Sequence, residues 1–271
     1  KHVLEGVAPA ELRNHPFSTS RPVGNGPFRF VSRSHGQNWV FEANENHPEE
    51  LGGRPYVDRL VFRYIPEPVT MMTELSTGAV DYYIAPGYNQ VAQIEADPST
   101  RLVSFPDRAF VILGWNERRP PFDDVRVRRA LTRAIDRQAI VDGIAYGFGQ
   151  VANSSVPPIF WQFDPDAGSD LGYDPEAAKA LLAEAGWQDR DGDGVVENAE
   201  GRPFRFTILT RQGDQTRIDI TAKVQSDLRR VGIVAEPRVV EWGVLLDQIN
   251  DTERRDFDAV LVGWVTEFRI D

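Results

Sequence analysis

The 271-residue sequence contains no cysteine. A chain without cysteine has no disulfide bond, no thiolate metal site and no cysteine nucleophile. Histidine is scarce as well. Its four copies, at positions 2, 15, 35 and 47, all lie near the amino end and lack the H-E-x-x-H spacing of a zinc hydrolase. We therefore predict neither a catalytic nor a metal-binding role for histidine.

The sequence also has fewer positive than negative charges and no long apolar run. Lys and Arg number 30 against 41 Asp and Glu, which gives a net charge of -11. Such a chain repels phosphate backbones, and its one basic cluster is the arginine group of a single helix, so nucleic acid is not expected as a partner. No apolar run approaches the ~18 residues of a transmembrane helix, so no membrane span is predicted.

Common catalytic motifs are missing too. Ser154 and Ser155 lack the glycine frame of a nucleophile elbow, and Gly24-x-Gly26 lacks the third glycine of a phosphate-binding loop. Carboxylate pairs abound in so acidic a chain, which leaves a glycosidase-like pair open but ranks it low. The composition, 41% hydrophobic and 26% charged, is that of a globular protein with one large domain or two small ones.

The segment NERRPPFDDVRVRRAL at residues 116–131 predicts a hinge followed by a helix. Pro120 and Pro121 end the preceding element, and either Asp123 or Asp124 can cap the helix that follows. Apolar residues then recur at the spacing of a helix with one buried face, while arginines occupy the other face. The apolar positions are Val127, Ala130, Leu131, Ala134 and Ile135. Asp136 is then predicted to begin a second helix.

The two sides of this hinge differ in pattern, and we predict one α/β portion on each side. Before it, in residues 1–116, strands are predicted at 27–31, 38–43, 59–65, 80–84, 101–105 and 109–115, with helices at 69–76 and 88–96. After it, in residues 117–271, a helix opened by Asp174 precedes strands at 204–210, 233–240 and 257–263, which alternate with helices at 216–231 and 242–250. Strict alternation of strand and helix predicts parallel pairing with helical crossovers.

The segment DRDGDGVVENAE at residues 189–200 satisfies the D-x-D-x-D-G-x5-E pattern of a calcium loop. Crowded carboxylates repel one another unless a cation lies among them, so a structural Ca2+ is one expectation. The alternative is an acidic Asp-Gly turn, since a strand, and not the exiting helix of an EF-hand, is predicted to follow. The predicted oxygen donors are Asp189, Asp191, Asp193, the Val195 carbonyl, Glu197 and Glu200.

Several blocks resemble one known family. They are RPVGNGPFRFV, GGRPYVDRLVFRYIPEPVTMMTELSTGAVDYYI, RRPPFDDVRVRRALTRAIDRQAIVDGIAYGFGQVANSSVPP, YDPEAAKALLAEAGWQDRDGDGV, VGIVAEPRVVEWGVLLDQI and DFDAVLVGW. In this order they resemble the peptide- and nickel-binding solute receptors of ABC importers, solute-binding protein family 5. The resemblance implies a periplasmic-binding-protein-like type II fold, with two mixed α/β lobes joined by a hinge. It also implies truncation at both ends, with a signal peptide and much of the first lobe before Lys1 and a return segment after Asp271.

The function that the resemblance implies is that of a non-catalytic receptor. Such a protein captures a peptide or a similar small solute in an inter-lobe cleft and passes it to a membrane permease. The resemblance implies a monomer in the periplasm or another extracytoplasmic location, free or membrane-anchored, with no organic cofactor. Two alternatives stay open: a calcium-stabilised extracellular hydrolase acting on glycans or peptides, and a calcium-loop adhesion module.

The resemblance also implies a set of ligand contacts. The tryptophan of the EW block and the main chain after the GW strand line the cleft in peptide receptors, which corresponds here to Trp242, Gly263, Trp264 and Val265. Glu267 stands where an aspartate commonly pairs with the ligand's amino terminus. We add Trp115 to the set. Leu261 replaces an arginine that binds the ligand carboxylate in some relatives, which argues against small peptides held at both ends. From the residues alone, core packing of the tryptophans and a solvated Glu267 are equal alternatives.

Overall fold

The computed structural model of the chain describes residues 3–266. The chain forms two compact units, Lys1–Pro86 and Gly87–Asp271. None of the helices within the described residues combines the length and the apolar character that crossing a bilayer requires.

The first unit contains a three-stranded antiparallel sheet. Its strands are β1 (Phe28–Ser34), β2 (Asn38–Ala43) and β3 (Arg59–Arg63), in the order β1-β2-β3, and it also contains helices α1 (Pro16–Thr19) and α2 (Pro68–Ser76). Aromatic side chains pair across the strands, with ring centroids 5.8 and 5.9 Å apart. Cross-strand aromatic pairs of this kind stabilise a small sheet.

Two strands predicted in the first half do not form. Residues 80–84 and 101–105 are irregular, and no described strand pairs with them. Their apolar and β-branched residues favour an extended chain, but a strand also needs a neighbouring backbone to accept and donate its hydrogen bonds. The predicted strands at 38–43 and 109–115 are confirmed with the same limits.

The second unit is an α/β sheet with crossover helices. Its sheet has the order β4-β7-β5-β6, in which β5 pairs parallel with β6 and β7, and β4 pairs antiparallel with β7. This confirms the predicted parallel pairing with helical crossovers. The strands are β4 (Ala109–Trp115), β5 (Arg205–Arg211), β6 (Val234–Val240) and β7 (Ala259–Val265). The helices are α3 (Val91–Ala96), α4 (Val125–Ala134), α5 (Arg137–Gly143), α6 (Pro175–Glu184), α7 (Gln215–Arg229) and α8 (Trp242–Asn250).

Helices cover both faces of this sheet. Alternate strand residues point to opposite faces, and Ile208 of β5 packs in the larger core together with Val224 and Leu228 of α7. On the opposite face, Leu209 of β5 packs with Leu245 of α8 in a smaller core. Helices α7 and α8 therefore lie on opposite sides of the sheet.

Side-chain caps begin the helices at the predicted places. Asp124, and not Asp123, caps α4 by accepting a hydrogen bond from the backbone nitrogen of Arg126 at 2.8 Å. The Arg126 guanidinium also donates to this carboxylate and thereby lowers the pKa of Asp124 below its usual range. Asp136 caps α5 and Asp174 caps α6 in the same manner. The predicted apolar positions of α4 are all buried, as expected for an amphipathic helix.

The lobe boundary predicted at residues 116 and 117 differs from the division into compact units, which falls after Pro86. Strand β4 pairs with β7 over its whole length, from Ala109 opposite Val265 to Trp115 opposite Ala259. Residues 109–115 therefore belong to the second unit, because their hydrogen bonds complete its sheet. The assignment of lobes stays a prediction.

Candidate ligand-binding site

The three parallel strands of the second unit have their carboxyl ends at the same side of the sheet, which we call the carboxyl edge. Arg211 of β5 is level with Val240 of β6, and β7 continues beyond them to Val265. Helices α7 and α8 begin at this edge, directly after β5 and β6. Their caps are acidic, with Asp214 accepting from the backbone of Arg217 at 3.1 Å and Glu241 from that of Gly243 at 2.6 Å. Ligand sites of open α/β sheets form at such an edge.

Arg211 and Trp242 form a cation–π pair at the carboxyl edge. The guanidinium carbon lies 5.5 Å from the centroid of the indole ring, which is 44% exposed. Within residues 3–266, Arg211 has no carboxylate partner, and its Nε is buried without a hydrogen-bond acceptor. An arginine in this state retains the capacity to bind a carboxylate through two parallel hydrogen bonds.

The end of β7 carries the other predicted contacts. Trp264 and Val265 are 63% and 56% exposed, although β7 lies between β4 and β5 in the sheet. β5 pairs with β7 only at Ala259 and Val260, while β4 pairs with all seven residues of β7. Beyond Val260 the two parallel strands separate.

This separation leaves main-chain groups without a strand partner. The backbone nitrogens of Asn116 and Thr266 bond to the Asp258 and Arg108 carbonyl oxygens, at 2.9 and 3.0 Å. Antiparallel pairs alternate between bonded and non-bonded residues, so Gly263 and Val265 direct their N–H and C=O groups away from β4. In the described part of the chain no strand pairs with them on that side.

Trp115 lies at the other end of the sheet. It pairs with Ala259, whereas Trp264 is five residues further along β7, about 17 Å at the usual rise of a strand. Its ring stacks on Phe122 at a centroid distance of 5.4 Å and meets Phe206 edge-on at 5.8 Å. The structure therefore places Trp115 in the core packing and not with Trp242, Gly263, Trp264 and Val265.

Two arginines at the carboxyl edge, Arg211 and Arg217, are not predicted from the sequence as part of the site. Arg211 ends β5, and Arg217 of α7 lies against Gly263. A usable signal is the segment TRQGDQTR directly after a strand, because residues in this position of a parallel sheet meet at one edge. Glu267 lies outside the described residues.

The acidic loop brings together four of the predicted calcium ligands. Carboxylate oxygens of Asp189, Asp191, Asp193 and Glu197 lie within 4.8 Å of one another. These carboxylates and the Val195 carbonyl fit the hard oxygen donors that Ca2+ prefers. Glu200 is not in this group, and its carboxylate lies 3.5 Å from the guanidinium of Arg202.

The alternative, an acidic turn, has its own support in the loop's hydrogen bonds. Asp189 accepts from the backbone nitrogens of Gly192 and Gly194, at 2.7 and 3.0 Å, and Asp193 accepts from that of Val195 at 2.7 Å. Hydrogen bonds from backbone N–H groups to the aspartates thus stabilise the turn without requiring a bound ion. Within the loop, Glu197 forms isolated β-bridges to Gln188 and Pro203, and strand β5 follows the loop where an EF-hand would have a helix, as the sequence predicted.

Comparison with known proteins agrees with this fold. The family profile described as bacterial extracellular solute-binding proteins, family 5 Middle, matches residues 3–269. The oligopeptide-binding protein AppA of Bacillus subtilis is 36% identical over 265 residues, which are 97% of this chain and 48% of that protein. Heme-binding protein A of Haemophilus influenzae is 31% identical over 245 residues, 90% of this chain and 42% of that protein.

A solved structure extends the likeness to three dimensions. The structure of AppA from Bacillus subtilis in complex with a nonapeptide superposes with a TM-score of 0.81 and 35% identity, covering 97% of this chain and 51% of that chain. The fold is thus periplasmic-binding-protein-like type II, the fold of solute receptors.

The chain belongs to the bacterial extracellular solute-binding proteins of family 5. It spans about half the length of the curated relatives it matches. The family consists of solute-binding proteins, which favours the receptor hypothesis over the hydrolase alternative.

Proposed function

We propose that the chain is part of the substrate-binding component of an ABC importer and that it binds peptides, or a similar small solute, without catalysis. The observation that carries this proposal is the end of β7, where Gly263 and Val265 offer main-chain groups that no described strand pairs with. An extended peptide is the natural complement of such groups, because its own backbone supplies alternating donors and acceptors. The nonapeptide complex of the similar AppA supports this ligand class.

Side chains around the strand end suit the remaining parts of a peptide. The exposed faces of Trp242 and Trp264 suit apolar or cationic side chains. Arg211 suits a carboxylate, and it supplies the cation that is absent at Leu261. By family resemblance, Glu267 is proposed to pair with the ligand's amino group.

Ligand capture by the full-length protein tests this proposal. Native mass spectrometry of the purified protein should reveal co-purified peptide. A nonapeptide library with free termini should raise the unfolding temperature, because a ligand that binds only the folded state stabilises it. The same incubations, analysed for cleavage products, should yield none. Turnover of peptides or oligosaccharides would support the hydrolase alternative, and absence of any peptide-dependent shift would count against the receptor.

The setting of the full-length protein follows from the same proposal. We propose an extracytoplasmic, monomeric receptor that delivers its ligand to a membrane permease and does not bind nucleic acid. Membership in a family of extracellular solute-binding proteins supports the location, and the net charge of -11 argues against nucleic acid. Size-exclusion chromatography with light scattering would test the monomer, and a dimer mass would refute it.

We also propose that the acidic loop holds one structural calcium ion, with Asp189, Asp191, Asp193, the Val195 carbonyl, Glu197 and Glu200 as ligands. The clustering of four carboxylates supports it, while Glu200 would have to leave Arg202 to join them. EGTA should then lower the unfolding midpoint, and Asp193→Ala should abolish that sensitivity. An unfolding midpoint that is the same with and without EGTA would favour the acidic turn.

A further inference from the structure

Gly263 occupies a position in β7 where backbone conformation does not require glycine. It is not among the residues with positive φ, and glycine inside a strand lowers stability because it loses more conformational freedom and packs less. The space beside it is filled by Arg217. A Cβ built at Gly263 would lie 3.2 Å from the guanidinium carbon of Arg217 and closer still to its Nη2. The guanidinium thus takes the place of a side chain at residue 263.

Arg217 is held in this place by the cap of its own helix. The Asp214 carboxylate accepts from the backbone nitrogen of Arg217 at 3.1 Å and from its Nη1 at 2.6 Å. Both side chains are mostly buried, with 22% and 23% exposed. One carboxylate therefore fixes the guanidinium relative to the first turn of α7.

The position of the Arg217 guanidinium against Gly263 is energetically unfavourable for one of its donors, which indicates that packing holds it there. Among the described residues, the Nε of Arg217 is buried and has no hydrogen-bond acceptor. An arginine free to choose its conformation would avoid leaving a buried donor unsatisfied. The residues that follow Gly263 are Trp264 and Val265, so any displacement at Gly263 would move both of these exposed side chains.

We propose that Arg217 is a positioning residue: through Gly263 it sets the course of the carboxyl end of β7, and so the main-chain groups that this strand end presents to a peptide. The inference rests on the proposed function, because it assigns a support to the same site. Since Asp214 neutralises the charge of Arg217, the effect of Arg217 on binding does not depend on the charge of the ligand.

Hydrogen exchange in the ligand-free, full-length protein tests this support without any ligand. In Arg217→Ala, the amides of Trp264 and Thr266, which face β4, should exchange about tenfold faster because the strand end opens more often. Gly263→Ala should have the same effect, since its Cβ displaces the flexible guanidinium. In the double variant these amides should exchange no faster than in either single variant, because both changes remove the same contact. Arg229→Ala, an exposed arginine at the far end of α7, is the matched control and should leave these amides unchanged.

Peptide binding supplies the second measurement, with a free-terminus nonapeptide library and its carboxyl-amidated counterpart as probes. Arg217→Ala should weaken both about tenfold. Arg217→Lys should restore the unfolding temperature through Asp214 but not the affinity, because an ammonium group lacks the planar surface that contacts Gly263. Unchanged exchange in Arg217→Ala, or additive effects in the double variant, would overturn the inference. A loss confined to free-carboxylate peptides would also overturn it, since Arg217 would then contact the ligand. If the parent protein binds neither library, the proposed function fails, while the exchange experiment still decides the role of Arg217.

Discussion

Replacing Phe122 with alanine tests whether the aromatic cluster around this residue stabilises the second unit. Phe122 is 1% exposed and follows the two prolines directly. Its ring stacks on Trp115 at 5.4 Å and meets Phe206 and Phe204 at angles of 82° and 61°, with centroids 5.2 and 6.2 Å away. Three rings held by two strands and a β-bridged segment surround it, so they have little freedom to close over a cavity.

The expected loss follows from this packing. Truncating a buried phenylalanine to alanine costs about 3–5 kcal/mol, and the immobile neighbours of Phe122 place its loss in the upper half of that range. In a domain of this size each kcal/mol lowers the unfolding temperature by about 2–4 °C. The variant should therefore unfold roughly 10 °C or more below the parent.

Urea and thermal unfolding of the full-length protein, followed by near-ultraviolet circular dichroism, would measure this loss. Phe122→Leu is the matched control: it keeps most of the buried volume and should lose less than about 1.5 kcal/mol. The slope of free energy against urea should stay the same in both variants, so that a change of midpoint reports stability. A loss below about 1 kcal/mol in the alanine variant, or equal losses in both, would refute the reasoning.

Three further predictions concern individual side chains. Asp124→Ala should cost about 1 kcal/mol at pH 7 and Asp124→Asn less, because asparagine also caps helices. Since Arg126 lowers the pKa of Asp124, the charge-dependent stability is present above pH ~4 and is lost as the pH falls through the lowered pKa. In urea unfolding, the difference in unfolding free energy between Asp124→Asn and the parent should thus be smaller at pH 3 than at pH 7. The same difference at both pH values would contradict this. Arg211→Gln should weaken free-carboxylate peptides about tenfold or more in calorimetry and amidated peptides little; equal losses would remove the carboxylate role. Glu267→Gln should weaken amine-bearing ligands about tenfold or more while leaving folding nearly unchanged, and unaltered affinity would exclude Glu267 from the site.

Local chemistry accounts for the elements that could be predicted from the sequence. Asp136 and Asp174 cap helices because their carboxylates reach backbone nitrogens three residues ahead, which a sequence displays directly. The strand–helix alternation after residue 204 likewise implied parallel crossovers, and hence the edge at which Trp242 and Trp264 lie.

Partners far apart in the sequence account for what could not be predicted. The strands expected at 80–84 and 101–105 have suitable residues, but no described strand pairs with them. Trp115 was assigned to the ligand set although it ends a strand that runs opposite to β7, a direction that hydrophobic patterns do not encode. Arginine side chains are usually solvated, so the sequence does not single out Arg211 or Arg217. Only the fold brings Arg211 to Trp242 and Arg217 to Gly263.

The position of β7 in the sheet has a consequence for folding during synthesis. Strand β7, the last one within the described residues, lies between β4 and β5 and pairs residue 265 with residue 109. Contacts between such distant residues form slowly, because loop-closure entropy is lost before the contact stabilises the chain. The β5-α7-β6 crossover can form on a growing chain, but β4 has no other neighbour in the described sheet. A chain that stops before Ala259 is therefore expected to expose unpaired edges on both β4 and β5, which promotes aggregation, and limited proteolysis of such truncated chains should cleave within β4 while sparing α7.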